Sequence, residues 1–328
     1  MARLYLSPRL RGLISRSRLV DESLRAVESG LVAAVMRGTA ALPLERASDM
    51  GERIGRLVGP RMRKHRHVLR NMAFLFPQAE PAWIEQTALE IWGQIGRTLA
   101  EYPHLPEICG VTGAPRVEVA SEFDLGPVRR GEQPMVFVAM HQANWNVPSA
   151  TGHLAGFPVS VVFARQRNHR LERRIARWRD TMPCGFIDVA QAARGMLGEL
   201  RRGRSVGVLV DHRVDEGEEV PFCGVPAPTT TVPARLAARL GLGVVPARVE
   251  RLPGVRFRVT LEAPIFAPPS ARNDSHGAAF EIMAEVNRSF ERWVRERPAD
   301  WCCVKRRWPK GAVPMAGEDH PQPTPLAA

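Results

Sequence analysis

Residues 135–146, Met135-Val-Phe-Val-Ala-Met-His141-Gln-Ala-Asn144-Trp145-Asn146, carry the clearest structural signal in this chain. An uninterrupted apolar run stops at a histidine, and a polar turn follows. Such a run is typical of a strand buried on both faces, as the strands of parallel sheets are. A histidine at the carboxyl end of such a strand lies where α/β sheets bind ligands, and it can accept a proton near neutral pH. The alternative is a hydrogen-bonded histidine that only closes the strand.

The pattern around this stretch predicts an α/β fold with a mostly parallel sheet flanked by helices. From about residue 115, β-rich runs alternate with helical stretches. The predicted strands are 116–119, 135–140, 159–164, 185–189, 205–210 and 244–250, and the predicted helices are 145–155, 171–181, 190–202 and 232–240. Residues 255–263 alternate apolar and polar side chains after a Pro253-Gly254 turn, which predicts an antiparallel edge strand.

The first 105 or so residues have helical periodicity, at 24–42, 50–57 and 83–99, and predict an N-terminal helical layer. A last helix is predicted at 277–296. We divide the chain into a basic and apolar helical segment that associates with a membrane (1–50), an α/β domain (51–312) and a proline-rich, disordered tail (313–328). A basic stretch at 3–18 precedes the apolar run 31–44. That run contains Arg37 and is too short to span a bilayer, so it favours a helix in the membrane interface or packed on the protein.

Composition narrows the classes of partner. Lys and Arg number 46 against 34 Asp and Glu, and the net charge of +12 favours anionic partners such as acidic lipid headgroups or an acidic carrier protein. The basic residues are not interleaved with aromatic residues, and no nucleic-acid-binding motif is present, which argues against nucleic acid. The five cysteines form no C-x-x-C pair, so they indicate neither a disulfide framework nor a zinc site, and a reducing cytoplasm fits them best.

Several segments, in order along the chain, resemble the motifs of one enzyme family. His141 to Asn146 is similar to the H-x-x-N-W-E form of the H-x4-D/E motif of bacterial lipid A late acyltransferases. These are the lauroyl and myristoyl acyltransferases of lipopolysaccharide synthesis, related to phosphatidylinositol mannoside acyltransferases. The other matching segments are 66–77 (R-x4-N-L-x3-F-P), Glu101, 165–172 (R-x3-N-P-x-L-D, one residue shorter and without the proline), 211–212 (D-Q), 221–229 (F-F-G-x-x-A-x-T) and 297–308 (R-x-P-x-Q-W-x-W-x-H-R-R-F). Together they cover about residues 60 to 310, which makes the resemblance far more specific than a single motif.

The resemblance implies a glycerolipid acyltransferase-like fold and a fatty acyl transferase. The acyl group would pass from a thioester, on acyl carrier protein or acyl-CoA, to a hydroxyl of a membrane lipid or glycolipid, with a lipid A-type acceptor favoured. His141 would be the general base. The resemblance implies no metal and no organic cofactor. It also implies an enzyme on the cytoplasmic face of the bacterial inner membrane, held at the anionic surface.

The remaining site residues follow from the same motifs. Arg165 or Arg167, together with Asn168, would hold phosphate groups of a substrate. Asn144 and Trp145 either contact substrate or shape the turn. Asp211 ends the apolar strand 206–210, so it is expected at the same sheet edge as His141, although a helix N-cap is an equal alternative.

The chain departs from the family pattern at Asn146, where the motif has a carboxylate. In a serine-protease triad the corresponding change of Asp to Asn costs on the order of 10⁴ in turnover. Three hypotheses remain open. Asp211 approaches His141 in the fold; or Asn146 orients His141, as the asparagine of papain-like proteases does; or the site is silent and the protein binds lipid or carrier without turnover. We favour the histidine–asparagine pair.

Overall fold

The computed structural model describes residues 18–268 and 274–314. Its strands are β1 (Val117–Ser121), β2 (Val136–Ala139), β3 (Val159–Phe163), β4 (Gly185–Asp188), β5 (Ser205–Leu209), β6 (Glu218–Phe222), β7 (Val225–Thr229), β8 (Val244–Leu252) and β9 (Arg256–Leu261). Its α-helices are α1 (Arg18–Ala40), α2 (Leu44–Val58), α3 (His65–Leu75), α4 (Pro81–Glu101), α5 (Leu105–Ile108), α6 (Gly126–Arg129), α7 (Thr151–Ala155), α8 (His169–Arg179), α9 (Ala192–Arg201), α10 (Val232–Leu240) and α11 (Ser275–Glu296).

The main sheet has seven strands in the order β1-β9-β8-β2-β5-β3-β4. All neighbouring strands run parallel except β8 and β9, which are antiparallel. The mostly parallel α/β fold with an N-terminal helical layer is therefore confirmed. The prediction that β9 is an edge strand is wrong, because β9 lies between β8 and β1. Its alternating pattern reflects a sheet with one covered face, which an interior strand can also have.

Strand β2 lies between β8 and β5, and its four residues are all buried. This burial on both faces explains the continuous apolar run in the sequence. In the β2–β5 pairing, Ala139 is in register with Leu209. His141 and Asp211 each follow two residues later, so the register places them side by side just beyond the carboxyl ends of neighbouring parallel strands.

In the N-terminal layer, α2 packs directly against α4. The two backbones approach closely at Gly51 and Gly96, where an added Cβ on either residue would overlap the carbonyl of the other. This contact places the carboxyl end of α4, with Glu101, near the turn that follows β2. The division drawn at residue 50 falls inside α2 and stays a prediction. Residues 1–17 and 315–328, which include most of the basic stretch and the tail, lie outside the described residues.

Two local structures differ from the sequence prediction. The predicted helix at 145–155 is a 3-10 turn at Val147–Ala150 followed by the short α7. Strands β6 and β7 were not predicted and form a hairpin whose two connecting residues, Cys223 and Gly224, both have positive φ (+52° and +72°). That backbone matches the type I′ turns of two-residue hairpins. Within the described part of the chain, no helix is long and apolar enough to cross a membrane.

Candidate active site

His141 and Asp211 meet at the carboxyl edge of the sheet. The His141 Nδ1 lies 2.7 Å from Asp211 Oδ1. The Asp211 side chain is fully buried, whereas the His141 side chain keeps 21% of its surface exposed. Among the described residues, no hydrogen bond to His141 Nε2 is formed. The Nδ1 atom of the imidazole is thus bonded to a carboxylate, and the Nε2 atom is left to contact a ligand.

The charge of Asp211 determines the tautomer of His141. Burial by itself would raise the pKa of Asp211, but the charges of His141 and His212 and hydrogen bonds from His141 and Trp301 hold it well below its usual range. An ionised carboxylate only accepts hydrogen bonds, so Nδ1 carries the hydrogen of this contact. The lone pair of a neutral His141 is therefore on Nε2, as in a hydrolase triad.

Two further aromatic residues complete the surroundings of this pair. Trp301 Nε1 donates to the second carboxylate oxygen of Asp211 at 3.0 Å, and the His212 ring stacks on His141 with centroids 3.8 Å apart. Burial lowers the pKa of His212 to about 4, so its ring is neutral at pH 7. Its Nε2 is buried without a hydrogen-bond partner in the described structure. The sequence predicted neither the hydrogen bond from Trp301 nor the stacking of His212, because no local pattern links these two residues to the histidine motif.

The turn after β2 is held by the segment that follows α11. Cys302 N donates to His141 O at 2.7 Å, and Ala143 N donates to Asp300 O at 2.9 Å. Ala143 has a φ of +48°, which is unusual for a residue with a Cβ. Its carbonyl accepts from Thr98 Oγ1 at 2.8 Å. Contacts from two other parts of the chain therefore fix a strained turn directly after the histidine.

Asn146 does not occupy the place of an orienting partner for His141, which corrects the favoured histidine–asparagine hypothesis. Its Nδ2 and its backbone N both donate to Asn144 Oδ1 at 3.1 Å. Asn144 Nδ2 in turn donates to Glu101 Oε2 at 2.8 Å. Asp211 takes the imidazole Nδ1 because strand register brings it there. The side chain of residue 146 points into the turn instead.

Glu101 is the centre of this second network. The carboxylate is buried and forms a bidentate pair with Arg251, at 2.6 and 3.0 Å, and accepts from Ser48 at 2.6 Å. Burial alone would raise the pKa of Glu101, but Arg251 and the hydrogen bonds of Ser48 and Asn144 keep it below the usual value. Glu101 thus anchors the turn after β2 through Asn144.

The other predicted binding residues lie in the connection between β3 and α8. Arg165 is 68% exposed and pairs with Asp188 at 2.5 Å. Arg167 is exposed, and its carbonyl accepts from Arg25 at 3.0 Å. Asn168 caps α8 through its side-chain oxygen, and its Nδ2 donates to Arg25 O and to Glu28. Within the described residues, no hydrogen bond or ion pair joins these three side chains to His141. The centroid of the Trp145 ring lies 5.7 Å from that of the His141 imidazole.

A basic cleft adjoins the segment that holds the turn. It measures about 460 Å³, and its lining side chains include Arg70, Arg306 and Lys310. Nearby Lys64 has a lowered pKa, through burial and then the charge of Lys305. Asn71 ties this region to the site because its Nδ2 donates to the carbonyls of Cys303 and Lys305. Positive charge is therefore concentrated beside the histidine–aspartate pair.

His141, Asp211 and His212 also form the one group of described residues whose ligand atoms could surround a metal ion, within 4.8 Å of one another. The Asp211 oxygens already accept from His141 and Trp301. The arrangement is better suited to proton transfer by the imidazole than to ligation.

The family model for bacterial lipid A biosynthesis acyltransferases matches residues 20–310, from α1 to the basic segment after Trp308. The chain belongs to this family. The match covers both hydrogen-bond networks around His141. No curated protein matches the chain. The protein is thus a lipid A-type acyltransferase, whose substrates in general terms are an acyl donor and a lipid acceptor.

Proposed function

We propose that this lipid A-type acyltransferase moves a fatty acyl group from a thioester to a lipid hydroxyl, with His141 as general base. The observation that carries the proposal is the 2.7 Å contact between His141 Nδ1 and a fully buried Asp211. It fixes the tautomer that leaves the lone pair on Nε2, which has no hydrogen-bond partner in the described chain. Asp211 also stabilises the imidazolium that forms when Nε2 takes a proton.

In the reaction that we propose, Nε2 removes the proton of the acceptor hydroxyl while its oxygen attacks the thioester carbonyl. A carbon–oxygen bond forms and the tetrahedral intermediate then breaks its carbon–sulfur bond. The leaving thiolate takes the proton back from the imidazolium and departs as a thiol. The protein is unchanged at the end, and no further reactant is consumed.

The charges beside the site support anionic substrates. Arg70, Arg306 and Lys310 line the adjoining cleft, and Lys64 and Lys305 lie close enough to His212 to lower its pKa. Guanidinium and ammonium groups of this kind hold phosphate groups of lipids, of coenzyme A or of a carrier prosthetic group. We also propose that the enzyme works at the cytoplasmic face of the bacterial inner membrane, where anionic lipids attract basic proteins. Acyl carrier protein or acyl-CoA would be the donor.

The test is acyl transfer by the purified full-length protein. Acyl carrier protein thioester and acyl-CoA are offered separately with a hydroxyl-bearing lipid A precursor, and products are followed by mass spectrometry. His141→Ala should reduce the initial rate by at least about 10³-fold, because loss of an activating base is costly in acyl transfer. The matched control is His153→Ala, which removes an exposed histidine of α7 and should keep the wild-type rate.

A silent lipid- or carrier-binding protein gives a different result. Wild type and His141→Ala would then bind donor and acceptor equally, and neither would form product with any thioester. Product formation that survives in His141→Ala would also reject the histidine as base. A rate lost in both His141→Ala and His153→Ala would point to a folding defect, which circular dichroism of each variant identifies.

A further inference from the structure

Helix α8 presents an arginine face to α1. Arg170, Arg173, Arg174 and Arg177 have the spacing i, i+3, i+4 and i+7, which places them on one face of the helix. In a helix packed on a neighbour, this spacing normally carries apolar residues. Here it carries four positive charges, and the facing residues of α1 are Ala26 and Ser29.

The space between the helices is a cleft of about 360 Å³. In the part of the chain that the structure describes, no acidic side chain lines it. Arg174 Nε donates to the buried Ser29 Oγ at 3.1 Å, and Arg170 lies 3.3 Å from Glu22 at the margin. Arg173 and Arg177 form no ion pair within the described residues. Four guanidinium groups thus line the cleft, and the ion pair that the described residues form with them is the one between Arg170 and Glu22 at its rim.

Helix α8 also carries an arginine whose charge is balanced by an ion pair. Arg179, on another side of α8, pairs with Glu172 at 2.8 Å and lies 3.9 Å above the Phe163 ring. By contrast, Arg173, Arg174 and Arg177 of the cleft form no such ion pair within the described residues. Like charges at this spacing repel one another, so an anion between them would stabilise the arrangement. Phosphate suits it because guanidinium groups bind its oxygens in bidentate geometry.

The outer face of α1 indicates where that phosphate comes from. Ser29, Ala33 and Met36 are buried against the protein. On the opposite side of the helix four apolar side chains are exposed by 44–68%, and they are Val20, Val27, Leu31 and Val35. A helix with an apolar outer face beside a cluster of arginines has the character of a helix that lies in the membrane interface. The phosphate is thus expected at the depth of lipid headgroups.

We infer that the α1–α8 cleft binds the phosphate of an anionic phospholipid headgroup while the outer face of α1 lies among the lipid chains. None of the cleft residues belongs to the His141 site, so the inference holds independently of the proposed reaction. The cleft would fix the orientation of α1, and with it the whole protein, relative to the bilayer. Free inorganic phosphate is the alternative ligand that would make the same contacts with the arginines.

The experiment measures co-sedimentation of the full-length protein with vesicles of phosphatidylglycerol mixed with phosphatidylcholine, and with vesicles of phosphatidylcholine alone. R173Q/R177Q should bind the anionic vesicles at least about tenfold more weakly, because each basic residue at an anionic surface contributes appreciably to binding. The matched control is R235Q/R239Q, which removes two exposed arginines of α10 at the same i, i+4 spacing and should change binding less than about twofold. His141→Ala should bind like wild type, which keeps this test separate from the acyl transfer assay.

A second measurement separates lipid from free phosphate. V27S/L31S removes apolar side chains from the outer face of α1 and should weaken binding to both kinds of vesicle, but should leave the broadening of the inorganic phosphate resonance in phosphorus NMR unchanged. R173Q/R177Q should abolish that broadening. Equal vesicle binding by the two arginine double variants overturns the inference, as does binding of inorganic phosphate without any preference for anionic vesicles. If R173Q/R177Q lost binding to acidic acyl carrier protein but bound anionic vesicles like wild type, the cleft would be assigned to a protein partner and the lipid would be rejected.

Discussion

Two hydrogen-bond networks reach the histidine turn from opposite sides, and each is built on one buried carboxylate. On one side Asp211 contacts the imidazole itself and is held by Trp301. On the other side Glu101, held by Arg251, contacts only Asn144 of the turn. The difference separates two tasks. Asp211 sets the tautomer of His141, whereas Glu101 sets the position of the backbone that carries it.

The second network also explains an amide at position 146. Glu101 is paired with Arg251 and accepts hydrogen bonds only, so the side chain of Asn144 must turn its NH₂ group toward it. The Asn144 oxygen then faces residue 146 and needs donors. Asn146 supplies them from its side chain and its backbone. A carboxylate at position 146 would place its own acceptor oxygen against the acceptor oxygen of Asn144.

The largest expected effect comes from breaking the first network. Asp211→Asn should lower kcat by about 10²–10⁴-fold, because an amide neither enforces the same tautomer nor stabilises the imidazolium. The substrate KM should change by less than about threefold, since Asp211 is buried behind the imidazole. Steady-state kinetics with a fixed acyl donor measure both constants. The control is Asp215→Asn, an acid with 74% of its side chain exposed, which should leave kcat unchanged.

A second, milder variant tests the same network in case Asp211→Asn does not fold. Trp301→Phe keeps the aromatic packing but removes the donor to Asp211 Oδ2. It should lower kcat by about 10²-fold at most, because the contact between Asp211 and the imidazole remains and one hydrogen bond to a charged group contributes about 1.5–3 kcal/mol. Wild-type kcat in Asp211→Asn would falsify the assignment of Asp211 as the partner of His141.

Breaking the second network should instead reduce stability. Glu101→Ala leaves Arg251 without its partner, and removal of one member of a buried ion pair costs about 3–5 kcal/mol. The measurement is the free energy of unfolding in urea. Glu52→Ala is the matched control, because Glu52 on α2 pairs with Arg56 and Arg97 at the surface and should cost about 1 kcal/mol or less. Equal losses in the two variants would contradict the anchoring role of Glu101.

The sequence predicts one of these networks better than the other. The apolar runs before His141 and Asp211 place both residues at the ends of buried parallel strands, and from there shared register is enough to join them. Nothing local predicts Trp301, which returns to the site from beyond α11 and pairs with Gln142 in an isolated β-bridge. The direction of the Asn146 side chain was also beyond prediction. It depends on the orientation of the Asn144 amide, which Glu101 determines from a different helix.

The stacked His212 provides a pH test of the first network. Its pKa is lowered by burial to about 4, whereas an unfolded histidine titrates near 6.5. Between these values the unfolded chain binds a proton that the folded chain does not, so the free energy of unfolding decreases as the pH falls from about 6.5 to 4. The whole change attributable to His212 is about 3 kcal/mol. Above pH 6.5 both states are neutral at this residue and the contribution is constant.

His212→Gln should remove this slope while other groups keep theirs. The quantity to compare is the loss of unfolding free energy between pH 6.5 and 4 in wild type and variant, measured by urea denaturation. Asp211 does not distort the comparison, because its lowered pKa places its own loss of stability below about pH 4. Identical slopes in the two proteins would mean that His212 is not held neutral in the folded state.

The smallest effects are expected at position 146. Asn146→Ala removes one donor to Asn144 and should cost about 0.5–1.5 kcal/mol of stability. Asn146→Asp should cost more, about 1–3 kcal/mol, since it also sets a carboxylate oxygen against the Asn144 oxygen. Neither change touches the imidazole, so kcat should stay within about tenfold of wild type in both.

Asn146→Glu is the most informative variant at this position, because it introduces the acidic residue of the H-x4-D/E motif that this segment resembles. The imidazole Nδ1 already donates to Asp211, and its single hydrogen is not available to a second carboxylate. The variant should therefore gain no activity and should lose stability as Asn146→Asp does. A gain of about tenfold or more in kcat would mean that residue 146 can reach the ring, and that the two networks are not separate.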